Sequence, residues 1–95
     1  MTHEHAWTVS HNAQRSRFEA TVEGELCEAA YRADGRRLVM THTSVPPALQ
    51  GRGIARSLID AAVAHARTHG LKIEPQCSYV AGYMRRHPEA RDVLA

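Results

Sequence analysis

Ninety-five residues, 43% of them hydrophobic and 23% charged, fit one folded domain over 1–95 and exclude a repeat array or a disordered chain. Twelve basic against ten acidic residues leave a formal charge of +2, too small a field for a dedicated nucleic-acid binder. No window reaches the ~18 apolar residues of a membrane span, and the polar start Met1-Thr2-His3-Glu4-His5 is no export signal, so the expected location is cytoplasmic, away from membranes.

In chain order, a short leading strand is expected at Trp7 to Ser10. His3, His5 and His11 read as a solvated arm. From Arg17 to Val22 the apolar side chains Phe18, Ala20 and Val22 alternate with Arg17, Glu19 and Thr21, the two-residue period of a strand with one buried face. A second strand runs from Glu25 to Arg32, and Asp34-Gly35 signals a hairpin. The third, Arg37 to Val45, is expected to carry Leu38, Met40, His42 and Ser44 on one face and Val39, Thr41, Thr43 and Val45 on the other. Pro46-Pro47 ends it, because proline lacks the ladder donor.

The pattern then changes period. Ile54, Leu58, Ile59, Ala62, Val63 and Ala66 recur at helical spacing between Gly53 and His69, and Gly70 is placed to terminate the helix. Leu71 to Glu74 reads as a strand returning parallel to an earlier one through a helical crossover. A second helix follows from Cys77 to Arg86, stopped by His87-Pro88, with a short helical piece at Glu89 to Leu94. The class is α/β (α+β): a mainly antiparallel sheet followed by two helices.

Chemistry concentrates between Val45 and Ala55. A strand end, a loop with Gly51 and Gly53, and a helix start coincide there. Glycines allow close backbone approach, and the first helical amides lack internal partners in a field that favours anions. Arg52 adds a guanidinium that suits a phosphoryl oxygen. The arrangement fits a diphosphate cradle, or else a tight turn with no ligand. Gly53-Ile54-Ala55 lacks the Lys-Ser/Thr of a P-loop, and Arg56 stands where a dinucleotide fingerprint needs its third glycine.

The segment Val45 to Leu58 resembles the pyrophosphate loop of the GNAT superfamily of acetyltransferases, with Gly51 and Gly53 at its two small positions and Ala48 where the family usually has Gln or Arg. Together with His42-Thr43, Val45-Pro46, Gln50-Gly51-Arg52-Gly53, Pro75-Gln76-Cys77-Ser78-Tyr79 and Arg86-His87-Pro88-Glu89, it resembles the branch of small standalone N-acetyltransferase-domain proteins. The resemblance covers a core of about residues 18–88. It implies a GNAT-like fold and an acetyl-CoA or coenzyme A ligand. Backbone contacts to the pantetheine and acetyl group would come from Thr43, Ser44 and Val45, and pyrophosphate contacts from Gln50, Gly51, Arg52 and Gly53 with Ile54 and Ala55. The implied activity is acetyl transfer from the thioester to an amine whose identity is open. The alternative is a CoA-binding or interaction module without turnover. Residues 1–37 leave no room for the helices that shape the acceptor groove in larger members, so the acceptor site should be shallow or shared with a partner.

Amide formation from a thioester needs a base, a polarised carbonyl and a proton for the thiolate. His42 is the candidate base, since histidine exchanges protons near neutral pH. Cys77, at a helix start that favours thiolate, is a candidate nucleophile or sulfur neighbour. Tyr79 and Tyr83 share one helix face, and the resemblance implies that either could protonate the leaving thiolate. Cys27 reads as core. His65 and His69 have i,i+4 spacing but no evident third ligand, so no metal is expected.

Overall fold

The computed structural model describes residues 7–95. His3 and His5 lie outside the described residues. Strands β1 (Ser10–Asn12), β2 (Arg17–Val22), β3 (Glu25–Asp34) and β4 (Arg37–Ser44) form an antiparallel meander in sequence order. Helix α1 (Ile54–His69) then crosses over so that β5 (Lys72–Pro75) pairs parallel to β4. Helix α2 (Ser78–Arg86) and a short 3-10 segment, Pro88–Val93, complete the described chain, and Leu94 bridges back to Ile73.

The alternation in β2 does what its pattern demands. Phe18, Ala20 and Val22 are buried beside Cys27 and Ala29 of β3, facing the apolar stripe of α1. That stripe consists of Ile54, Leu58, Ile59, Ala62, Val63 and Ala66, all buried. Each large side chain so placed removes enough apolar surface from water to stabilise the fold by about 1.5–3 kcal/mol. Gly70 closes α1 in the left-handed region (φ 67°), with its amide bonded to Ala66 O.

The opposite sheet face carries no helix among the described residues. It is largely polar, with ion pairs of its own, and also carries Leu26 and Val39. Arg17 bonds Glu19 at 2.6 Å and Glu28 at 3.2 Å, and Arg37 bonds Glu74 at 2.9 Å. Such a face stays in water at little cost, as antiparallel sheets with one solvated side do.

Three expectations are corrected. The leading strand lies at Ser10–Asn12, not Trp7 to Ser10, because its register against Arg17–Glu19 begins at Ser10. His11 is solvent-accessible but no loose arm. Its ring stacks on Phe18 (centroids 4.4 Å, 13°), meets His65 edge-on at 4.4 Å and bonds Tyr31 Oη at 2.6 Å. Third, β4 does not alternate evenly. Its partners step from Met40↔Tyr31 to His42↔Ala30, which leaves Thr41 as the extra residue of a β-bulge. Past the bulge the faces exchange, so Leu38, Met40 and Thr43 face α1 while Val39, His42 and Ser44 face the open side.

Candidate functional site

The bulge prepares a gap. Strands β4 and β5 pair only from Arg37↔Lys72 to Met40↔Pro75. Pro75 has no amide to continue the ladder, and the amides of Gln76 and Cys77 both turn onto Met40 O, at 3.1 and 3.0 Å. The chain leaves for α2 while β4 runs on to Ser44, so the two strands part. A cavity of about 460 Å³ lies beyond this point, between the end of β4, the loop that follows it and the two helices. Thr43 and Val45 line it from the strand end, Leu49, Gln50, Gly51 and Gly53 from the loop, Ile54, Ala55 and Arg56 from the first turn of α1, and Tyr79 from α2.

The loop end of this cleft is built for an anion. Gly51 and Gly53 sit at φ 84° and 88°, where L side chains are strained, and a Cβ on either would meet nothing within 4 Å. Gly53 is the N-cap of α1 and offers no side-chain oxygen, and no acidic residue occupies the first turn. The first amides of a sixteen-residue helix therefore face the cleft uncapped. The Gln50 side-chain amide donates to Val45 O at 3.0 Å, tying the loop to the strand it follows.

Arg52 is not where the sequence placed it. Its guanidinium pairs with Glu23 at 2.7 Å, on the β2–β3 turn, and reaches Ala48 O at 3.5 Å, outside the cleft lining. The cation on the cleft is Arg56, which sequence reasoning passed over. Its signal was available: the third residue of a helix that begins at Ile54, just after the Gly53 cap, lies in the first turn, beside the amides that suit an anion. Asp60 stands 3.8 Å from Arg56, one turn on. Ser44 faces the open side opposite Glu28 and does not line the cleft.

Of the candidate reactive groups only Tyr79 lines the cleft. Cys77 is the N-cap of α2, half-buried, and its thiol donates to Thr43 Oγ1 at 3.4 Å. Burial pushes this thiol up, but the Thr43 hydroxyl and the amides of Val80, Tyr79 and Thr43 outweigh it and hold the group below the ordinary thiol range. Cys27 is fully buried, and that burial raises its thiol. At pH 7, iodoacetamide is therefore expected to label Cys77 and spare Cys27 in the folded protein, as read by peptide mass spectrometry. A Thr43→Val variant should move the labelling midpoint to higher pH; equal labelling of both thiols would contradict the assignment.

The two tyrosines separate. Tyr79 lines the cleft, with the Arg86 guanidinium 6.0 Å from its ring centroid. Tyr83 is buried between α1 and α2 and donates to Asp60 Oδ1 at 2.6 Å, while burial and Asp60 push its hydroxyl up. It reaches the cleft only through Asp60 and Arg56. His42 lies across the sheet from Thr43, exposed on the open face. His65 packs against His11 and His69, with ring centroids 4.4 and 4.3 Å away, and among the described residues no group of three ligating side chains is set to hold a metal.

Comparison with known proteins decides what kind of molecule carries this cleft. The family model described as GCN5-related N-acetyl-transferase matches residues 17–93. The chain belongs to the GCN5-related N-acetyltransferase family. Among its relatives in that family, Protein NATD1 of Mus musculus is 35% identical over 83 residues, which cover 84% of this chain and 76% of the relative. The Homo sapiens NATD1 is 34% identical over the same length, covering 74% of that protein. The solution structure of a GCN5-like protein from Staphylococcus aureus superposes with a TM-score of 0.75 at 27% identity, covering 93% of this chain and 87% of the other. The five-stranded mixed sheet with its helices is the GNAT fold, in a small single-domain form.

Proposed function

We propose that this chain binds acetyl-CoA in the cleft between the end of β4, the glycine loop and the two helices, and transfers the acetyl group to an amine that arrives from the open sheet face. The observation that carries the reading is the uncapped start of α1 behind the two left-handed glycines, a cradle for a diphosphate in a cleft that Thr43 and Tyr79 also line. Family membership supports the same ligand, since these proteins generally use acetyl-CoA.

When bound, acetyl-CoA supplies an activated acyl group and a thiolate leaving group. The chain's own groups do the rest. The β4 edge beyond Met40, freed from β5, offers backbone donors and acceptors to hold an extended ligand in strand-like geometry. Tyr79 brings a hydroxyl to the cleft wall, where it donates a proton to the departing sulfur. His42, on the face from which the amine approaches, accepts the amine proton. The acceptor is taken directly, and Cys77, whose thiol rests on Thr43 outside the cleft lining, is not acylated. Among the described residues the open face has no helix to enclose a substrate, so the acceptor site is shallow.

Calorimetric titration with CoA and acetyl-CoA tests the reading. Affinity in the micromolar range, on the order of −8 kcal/mol, is expected. Arg56→Ala should weaken it about 10-fold, a charge-assisted contact being worth ~1.5 kcal/mol or more. Arg52→Ala, which loses an exposed pair with Glu23, should weaken it no more than about 3-fold. No heat at millimolar ligand would sink the proposal.

A further inference from the structure

Three histidines outside the cleft meet on the helix side of the sheet, at its β1 edge. His11 is the middle residue of β1 and stands opposite Phe18 in the ladder. Its ring stacks on Phe18 at 4.4 Å and meets His65 of α1 edge-on at 4.4 Å, and one helical turn on, His69 packs against His65 at 4.3 Å. His11 Nε2 also lies 2.6 Å from Tyr31 Oη of β3. One side chain thus ties a three-residue edge strand to α1 and β3, elements with which its backbone shares no ladder.

These contacts suit neutral rings. The Tyr31 phenol can donate to His11 Nε2 only while that nitrogen carries no proton. His69 Nδ1 donates to His65 O at 3.0 Å. A proton on one ring places a cation against its neighbour, and a second sets like charges face to face at ring separations of 4.3 or 4.4 Å. Little offsets this. No carboxylate pairs with the three rings among the described residues. Phe18 faces them from β2 and Tyr31 from β3, while Arg17, Glu19 and Glu28 lie on the opposite sheet face. Just beyond His69, Arg36 reaches Gly70 O at 3.2 Å and adds a further cation. Burial and then His69 hold His11 below the ordinary histidine range, and burial, His11 and His69 do the same to His65.

We infer that the His11–His65–His69 cluster is a pH-sensitive latch, which holds β1 on the fold while its rings are neutral and releases that strand when they take up protons. Released, the histidines return to their ordinary range near ~6.5 and bind more protons than the docked strand allows, so docking is strongest above that range and weakens as the pH falls through it. Release stays local. The buried core begins at Phe18 and contains no residue of β1, so the strand can leave without opening it. What it uncovers is the edge of β2. The cofactor cleft lies at β4, three strands away, and the latch stands independently of the function proposed for it.

The test is amide hydrogen exchange on the whole protein at about pH 7.5 and about pH 5.5, on either side of the histidine range, read as protection factors so that the intrinsic pH dependence of exchange drops out. Amides of the β1–β2 ladder should lose about 10-fold in protection at the lower pH, while those of the β3–β4 ladder change by less than about 2-fold. Trp7, the chain's single tryptophan, packs against the core three residues before β1, and its emission should change in parallel. His65→Gln removes the ring that touches both others and should cut the loss to no more than about 3-fold. His69→Gln, at an exposed position, should reduce it in the same direction. Equal β1 protection at the two pH values would overturn the latch. So would a loss spread evenly over the sheet, which makes the histidines part of global stability, or an undiminished loss in both variants, which puts the titrating group elsewhere.

Discussion

Gly53→Ala combined with Gly51→Ala is expected to cost about 100-fold in CoA affinity while the protein remains folded. Both glycines hold φ near +84° to +88°, and nothing of the protein lies within 4 Å of an added Cβ. The penalty is therefore backbone strain, about 1–2 kcal/mol for an L residue in the left-handed region, rather than a clash. A loop that relaxes from that strain rotates the amides at the start of α1 away from the cleft, and the two methyl groups project into the cradle. Loss of one or two charge-assisted hydrogen bonds, each worth about 1.5–3 kcal/mol, yields the expected drop. Gly35→Ala is the control. Gly35 sits at φ 61° in the β3–β4 turn, also with nothing within 4 Å of a Cβ, and does not line the cleft. It should lose comparable stability in a thermal melt and keep its CoA affinity. If the loop variants lose no more affinity than Gly35→Ala, the glycines serve only the turn.

The same residues show how far a sequence speaks for its structure. Helix α1 was legible to the residue at both ends, because six buried positions at helical spacing and two glycines at the termini all specify one element. The parallel return of β5 was legible too, since a helix between two strands leaves little other choice. The bulge at Thr41 was not. Leu38, Met40, His42 and Ser44 obey strict alternation on paper, and a single unpaired residue, with no glycine or proline to mark it, reverses the second half. That reversal puts His42 on the open face and Thr43 in the cleft, so the one feature the pattern hides divides the two sides of the site. Arg52 was misplaced for a related reason. Position in a loop says that a guanidinium is near the ligand, but its direction was decided by Glu23, 29 residues away in sequence. Long-range pairing of this kind leaves no local trace. The aromatic stacking of His11 on Phe18 is likewise a product of register between β1 and β2, in a strand of only three residues.

Tyr79 and Tyr83 are the sharpest case, since their four-residue spacing makes them equivalent in sequence and the fold gives them different work. With acetyl-CoA and a primary amine supplied in excess, Tyr79→Phe is expected to lower the rate of CoA thiol release by about 10² to 10⁴-fold, the range of a lost general acid. CoA affinity should stay within about 3-fold, because the ring still fills its place on the wall and keeps its contact with Arg86. Tyr83→Phe removes a hydroxyl that donates to Asp60 at 2.6 Å in the α1–α2 interface. Asp60 keeps Arg56 at 3.8 Å and is itself partly exposed, so solvent replaces the lost donor. The expected cost is about 1 kcal/mol of stability, with the rate changed only a few-fold through the altered hold on Arg56. Opposite signatures in the two variants would assign the proton to Tyr79 and the structural hydrogen bond to Tyr83. Equal rates for Tyr79→Phe and the unmodified protein would remove the tyrosine from the chemistry and leave the proton to water, since among the described residues no other acidic hydroxyl or thiol lines the cleft but that of Thr43.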